Sequence, residues 1–411
     1  MKVLNRYSVG TGDRFGRQGE AQLHAFELLA ARGVEASIVW NKSNREHLLI
    51  GTGPEDQRAA SDAAVKARAY KGVYCVDADH INLSNVDKFI PWCDFFTIDV
   101  ADYIGKPASA ERAKAFVAAR LPLGKDKSAP VRIDGATIEV SAAKYLYAID
   151  EAAKVYARIL EAKPEGNFHV EVSMDETDAP QSPAELALIL AGLAEVGVPV
   201  QTIAPKFSGR FNKGVDYVGD VAAFLKEFEA DAEVTAWAAK AFGLPESLKL
   251  SIHSGSDKFS IYPGIGRIVK KLGCGLHLKT AGTTWLEELI GLAEAGGEGL
   301  ALAKRIYTTA YSRIPELTQP YASVIDISLA RLPDPAQVNA WDSKTYVGAL
   351  RHDRKNPAYN PDFRQLLHVA FKVAGELGKE YLDALELCKS SIHRNVSLNL
   401  FERHMLPLFI G

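Results

Sequence analysis

The sequence predicts an α/β fold, a (β/α)8 TIM barrel over residues 1–296 with a C-terminal helical extension over residues 297–411. Three observations carry that prediction. Eight short β-branched or aromatic runs alternate with amphipathic segments, each run ends in a polar cluster, and the alternation stops near residue 296. The runs fall at 3–9, 36–40, 72–76, 95–100, 169–172, 200–204, 248–252 and 276–278. Short apolar runs separated by helical segments read as parallel strands buried on both faces. The segments 18–32, 55–69, 142–162, 183–196, 221–242 and 285–295 carry apolar residues at helical spacing and supply the outer ring.

One insertion, at about residues 108–141, interrupts the alternation. Within it, residues 131–140 alternate around Asp134-Gly135, which predicts a β-hairpin able to cover the barrel mouth. Thr284 and Glu287 read as a capping box for the last barrel helix. Beyond residue 297, helices are expected over 362–377, 379–390 and 396–406.

Charge and composition exclude several classes. With 48 Lys+Arg against 51 Asp+Glu, there is no cationic field for a phosphate backbone, so no nucleic-acid partner is expected. Hydrophobic residues at 47% suit a globular protein with a large core, and the longest uncharged apolar stretch, 186–194, is far too short to span a membrane. The N-terminal residues are too polar for a signal peptide, and the four cysteines show no CxxC spacing, so a reduced, cytoplasmic location is expected.

In a barrel, the C-terminal ends of all eight strands share one face, so polar clusters scattered in sequence converge there. Three histidines lie at such ends: His80, His253 and His277. Neutral imidazoles on rigid strands suit a divalent transition metal with an open position, while a hydrogen-bonded core role is the alternative for each. His24, His47, His352, His393 and His404 read as surface or helix positions, and His368 as a residue that could face the mouth.

The carboxylates Asp77, Asp79, Asp99, Asp102, Glu171, Asp175 and Glu176 are acid/base candidates, with Asp99, Asp102 and Asp175 equally readable as caps or loop anchors. Asp79 is the best placed, because it precedes a metal-ligand candidate. The cations Lys206, Arg210, Lys213, Lys258 and Lys279 at the same face imply an anionic small substrate. Ser254 and the 280–284 loop follow the last two strands, where barrels often bind anions. Gly10-Thr11-Gly12-Asp13-Arg14-Phe15-Gly16 competes as a dinucleotide loop, but Asp13 would repel a pyrophosphate, so no nucleotide cofactor is expected.

These motifs resemble the tagaturonate epimerase family. The segments that carry the resemblance are GTGDR at 10–14, DADH at 77–80, FFTIDVAD at 95–102, EVSMDET at 171–177, KFSGRFNKGVDYVGD at 206–220, SIHSGSDKFSIYP at 251–263, HLKTAGTTWLE at 277–287 and RQLLHV at 364–369. They run in order through most of the chain. Family members carry further sequence before GTGDR, so any substrate contact made there is not expected here.

The resemblance implies a metal-dependent sugar-acid epimerase that interconverts D-tagaturonate and D-fructuronate, or a closely related ketose or keto-uronate; because the inverted carbinol carbon lies two bonds from the ketone, a retro-aldol and aldol sequence is expected, with proton removal and return at that carbon as the rival. The order of DH, HSGS and a further strand-end His is also similar to the three-histidine site of class II aldolases. By that likeness Asp79 is the acid/base group, and His80, His253 and His277 hold Zn, Mn, Ni or Co. Glu176 is the second acid/base expectation, and Arg14, Lys206, Arg210, Ser254, Lys258 and Lys279 are the expected substrate contacts. A metal- or Schiff-base-dependent aldolase, through Lys206 or Lys279, and a non-catalytic sugar-acid-binding protein are the alternatives.

Overall fold

The computed structural model describes residues 3–175, 177, 179–280 and 282–411. Eight parallel strands close into a barrel in chain order: β1 (Tyr7–Thr11), β2 (Ala36–Ser43), β3 (Tyr74–Ile81), β4 (Phe95–Asp99), β5 (His169–Ser173), β6 (Thr202–Ala204), β7 (Lys249–His253) and β8 (Leu276–Lys279). Closure comes from β1 and β8, which pair from Tyr7 with Leu276 up to Gly10 with Lys279.

Side chains alternate between the outer helices and the barrel interior. Inside, the layers change character from bottom to top. Leu4, Val39, Cys75 and Phe95 form a separate apolar plug, and below the sheet Lys249 Nζ donates to the backbone oxygens of Asn5 and Arg6. Above the plug the interior turns polar: Ser8 and His277, then Asp77, Thr97, Glu171, Thr202 and Lys279, all buried and hydrogen-bonded to one another.

The insertion holds no hairpin. The helix Ala110–Arg120 and a short 3-10 turn Leu121–Lys125 lead into the long helix Gly135–Ala162. Asp134 caps that helix by accepting from the Thr137 N–H at 2.9 Å. An Asp-Gly pair suits an N-cap as well as a turn, and the helical spacing of Ile138, Ala142, Tyr145, Leu146 and Ile149, all buried, decides between them. The capping box at Thr284 is also absent. The helix Thr283–Ala295 is capped at Gly282, Thr284 Oγ1 accepts from Gln22, and Glu287 accepts from Asn399.

After residue 296 the described residues are helical, with no strand. Helices Gly297–Ser312, Ser343–Leu350, Pro361–Val369 and Lys389–Leu398 share one apolar core with the barrel helices Gly19–Ala30 and Thr283–Ala295. None of the described helices is long and apolar enough to cross a membrane.

Candidate active site

A cavity of about 580 Å³ opens at the C-terminal ends of the strands, lined by Asp79, His80, Asp99, Asp175, His253 and Lys279 and also by Arg14, Glu46, Lys206, Gly282 and His368. On β3 the alternation that turns Asp77 and Asp79 inward would turn His80 outward. Instead the β3–β4 register shifts between Ala78 and Ile81, and His80 takes a left-handed backbone with φ of 52°. A bulge with a non-glycine residue at positive φ re-aims a side chain at a backbone cost. His80 thereby reaches the mouth.

There, His80 Nδ1 is bound to Asp99 Oδ2 at 2.9 Å, and His253 Nε2 to Glu171 Oε1 at 2.8 Å. The other ring nitrogens face carboxylates of the mouth, His253 Nδ1 lying 3.2 Å from Asp175 Oδ2 and His80 Nε2 3.9 Å from Asp79 Oδ1. One ligand atom from each of His80, Asp175 and His253 lies within 4.8 Å of the other two. Two imidazoles and a carboxylate, each imidazole oriented by a second carboxylate, form a donor set that fits a divalent transition metal.

His277 does not join them. It sits a layer deeper, with Nδ1 2.8 Å from Ser8 Oγ and its ring against Phe95, and burial depresses it to about 3. The alternation places Lys279, two residues on, at the level of the mouth. Asp175 takes the third place instead. Its sequence signal was present but matched a loop anchor equally well.

Lys279 Nζ lies 2.6 Å from Asp79, 2.9 Å from Asp77 and 3.3 Å from Glu171. Burial alone would strip its proton, but these carboxylates outweigh it and hold Lys279 protonated. Burial likewise pushes Asp77 up to about 7 against the pull of Lys279. Asp79 is also buried, yet Lys279 and His80 hold it below the ordinary carboxylate value.

Arg14 lines the cavity, with Nε donating to Glu46 at 2.8 Å and its guanidinium 4.0 Å from the Phe371 ring. Lys206 and Arg210 also line it, Arg210 being half-exposed and 3.8 Å from Asp326. Ser254 and Lys258 do not line it. Both are fully buried: Ser254 Oγ donates to the Lys279 carbonyl oxygen, and Lys258 Nζ to Ser256 Oγ and the Asp257 carbonyl oxygen. The Ser254 hydroxyl ties the loop to the end of β8, and the Lys258 ammonium serves the loop itself. Glu176 lies outside the described residues.

In the glycine-rich loop the Asp13 carboxylate accepts the amides of Arg17 and Gln18, so those donors face a carboxylate, not a phosphate. His352, His404 and His47, expected at surface or helix positions, are buried, His47 and His404 on helices, with His352 and His404 around Asp257. His368 reaches the mouth from the C-terminal region.

Residues 2–396 match the tagaturonate epimerase family. The tagaturonate/fructuronate epimerase of Thermotoga maritima is 30% identical over 383 residues, spanning 89% of this chain and 73% of that protein. The native crystal structure of fructuronate-tagaturonate epimerase from Cohnella laeviribosi superposes with a TM-score of 0.77 at 25% identity, over 99% of this chain and 82% of that one. Its glycerol complex gives 0.78 at 24% identity, with the same coverage. With the family matched across the barrel and most of the helical region alike, the chain belongs to the tagaturonate epimerase family and is an epimerase.

Proposed function

We propose that this chain interconverts D-tagaturonate and D-fructuronate with a divalent ion, Zn, Mn, Ni or Co, held by His80, His253 and Asp175. The observation that carries this reading is the convergence of those three side chains beside the Asp79–Lys279 pair in one cavity. When bound, the ion supplies Lewis-acid polarisation of the substrate's ketone.

The two sugar acids differ at the carbinol carbon two bonds from the ketone, whose C–H that ketone does not acidify. Asp79 takes the proton from the hydroxyl on this carbon, with the Lys279 ammonium beside it to stabilise the charge that moves. The C–C bond toward the ketone then breaks, leaving an enediolate and a three-carbon aldehyde acid. After the aldehyde turns, the same carbon re-adds to its other face, and Asp79 returns the proton to the new alkoxide. Glu176 is the alternative candidate for this proton transfer. Lys206 meets the substrate within the cavity.

A Schiff-base route through Lys279 is disfavoured, since that chemistry needs a neutral amine and three carboxylates surround this one. A pure binding module has no use for a metal-ligand group beside an acid/base pair. All four cysteines are free thiols, which suits the cytoplasm.

The test is NMR of D-tagaturonate with metal-loaded protein in D₂O. We expect D-fructuronate to appear with protium retained at the inverted carbon. Absence of any isomer with all four metals overturns the epimerase reading, and heavy deuteration at that carbon overturns the retro-aldol route.

A further inference from the structure

We infer that Arg14 and His368 together bind the substrate's carboxylate and so set which way round the sugar acid lies in the mouth, an inference that rests on the keto-uronate reading above. Both side chains line the cavity and are more than nine-tenths buried, at 7% and 2% exposed. Each holds one buried polar atom without a protein partner, Arg14 Nη1 and His368 Nε2. A buried N–H left unpaired is costly, and native proteins keep few of them. The rest of the Arg14 head is already fixed, by Glu46 at Nε and by the Phe371 ring on its face.

His368 is admitted by glycines from two loops, Gly282 after β8 and Gly214 after β6. A Cβ on Gly282 would lie 2.0 Å from His368 Nε2, and one on Gly214 would lie 3.3 Å from His368 Cβ. Gly282 N also donates to the Gly255 carbonyl oxygen at 2.9 Å, which holds the loops after β7 and β8 together around the ring. Burial first, and then Arg14 and Lys213, keep this imidazole neutral, so one of its ring nitrogens carries a proton to donate.

Charge decides the ligand group. Asp79, Asp99 and Asp175 stand against the candidate metal-ligand imidazoles and repel a carboxylate there, while Arg14, paired through Nε with Glu46, keeps Nη1 as a buried charged donor. Of the other cations that line the cavity, Arg210 is half-exposed beside Asp326 and gains little from a charge in water, and Lys206 is the rival that the K206M variant tests.

The experiment is calorimetric titration of D-tagaturonate into metal-loaded protein, with metal content and melting temperature recorded for every variant. R14M and H368F are expected to weaken binding about 10–100-fold, the range for a hydrogen bond to a charged group. R14K and H368N, which keep an N–H donor, should regain part of that loss, and metal content should not change. Affinities in R14M and H368F within about threefold of wild type, or an equal loss in K206M or R210M, overturn the inference. If R14M or H368F does not fold, the same titration of R14K, H368N and G282A decides it, normal affinity in all three being the overturning result. Wild-type protein that binds D-tagaturonate without forming an isomer refutes the epimerase reading alone. Wild-type turnover with normal binding by the variants refutes this inference alone.

Discussion

Lys279 and His277 stand two residues apart on β8, and the barrel makes one a member of the mouth and the other a buried structural residue. The Lys279 ammonium sits among three carboxylates, whereas the His277 ring packs on Phe95 and pairs with Ser8. Metal analysis of single variants should follow that division. H80A, H253A and D175A are expected to lose most of their metal, and H277A to retain it; a metal-free H277A would restore the three-histidine site.

A second test at this scale concerns Glu288, buried with Oε2 accepting from Tyr381 at 2.9 Å and Oε1 unpartnered. Burial, reinforced by Asp13, pushes its carboxyl up to about 8. The folded protein therefore keeps a proton that the unfolded chain releases above its ordinary value of 4.5. Wild-type stability from this group is full below that value and is lost as pH rises toward about 8. E288Q holds the hydrogen-bonding shape without the titration. Its stability relative to wild type in urea melts should rise by roughly 1–3 kcal/mol between pH 5 and 8, and a pH-independent difference counts against the assignment.

Among the elements, β3 carries the device that builds the mouth. A regular strand would deliver Asp77 and Asp79 and point His80 at the helices; the register shift and the left-handed residue deliver all three. The backbone at residue 80 is therefore strained for any side chain with a Cβ. H80G and H80A both remove the imidazole, but only glycine relieves that strain. H80G should be the more stable of the two by about 1 kcal/mol in thermal or urea melts, and equal stabilities would show that the bulge stores no such cost.

At the scale of the whole molecule, the C-terminal region supplies part of the site and locks onto the barrel through one buried carboxylate. Asp257, in the loop after β7, accepts from Arg364 Nη2 at 2.7 Å and Thr283 Oγ1 at 3.1 Å, and His352 Nδ1 lies 3.3 Å away. Arg364 further donates to the carbonyl oxygens of Gly214 and Leu350, tying three stretches of chain to one side chain. Removing one member of a buried ion pair leaves the other uncompensated. R364M is expected to cost about 3–5 kcal/mol. Because barrel and extension share an apolar core, the loss should appear as one cooperative transition at a lower denaturant midpoint. Two separated transitions would mean that the regions unfold independently.

The strand count, the parallel order and the face that carries the chemistry were legible in the sequence, because a buried parallel strand must be apolar and a βα-loop is free to be polar. His80, His253, Asp79 and Lys279 were legible for the same reason. What the sequence left undecided were questions of depth and direction. His253 follows its apolar run whereas His277 lies inside the run 276–278, and only the ladder, which pairs His253 with Lys279 and His277 with Ser251, shows that the second imidazole falls a layer lower. Asp134-Gly135 satisfies both a turn and an N-cap until packing of the following face chooses the helix. Ser254 and Lys258 look like anion contacts until the loop folds inward and buries them, and Asp175 becomes a metal-ligand candidate only when β5 sets it beside β3 and β7. His368 is the clearest case: its place in the mouth depends on Gly214 and Gly282 from two distant loops, a relation between positions that tertiary packing alone creates.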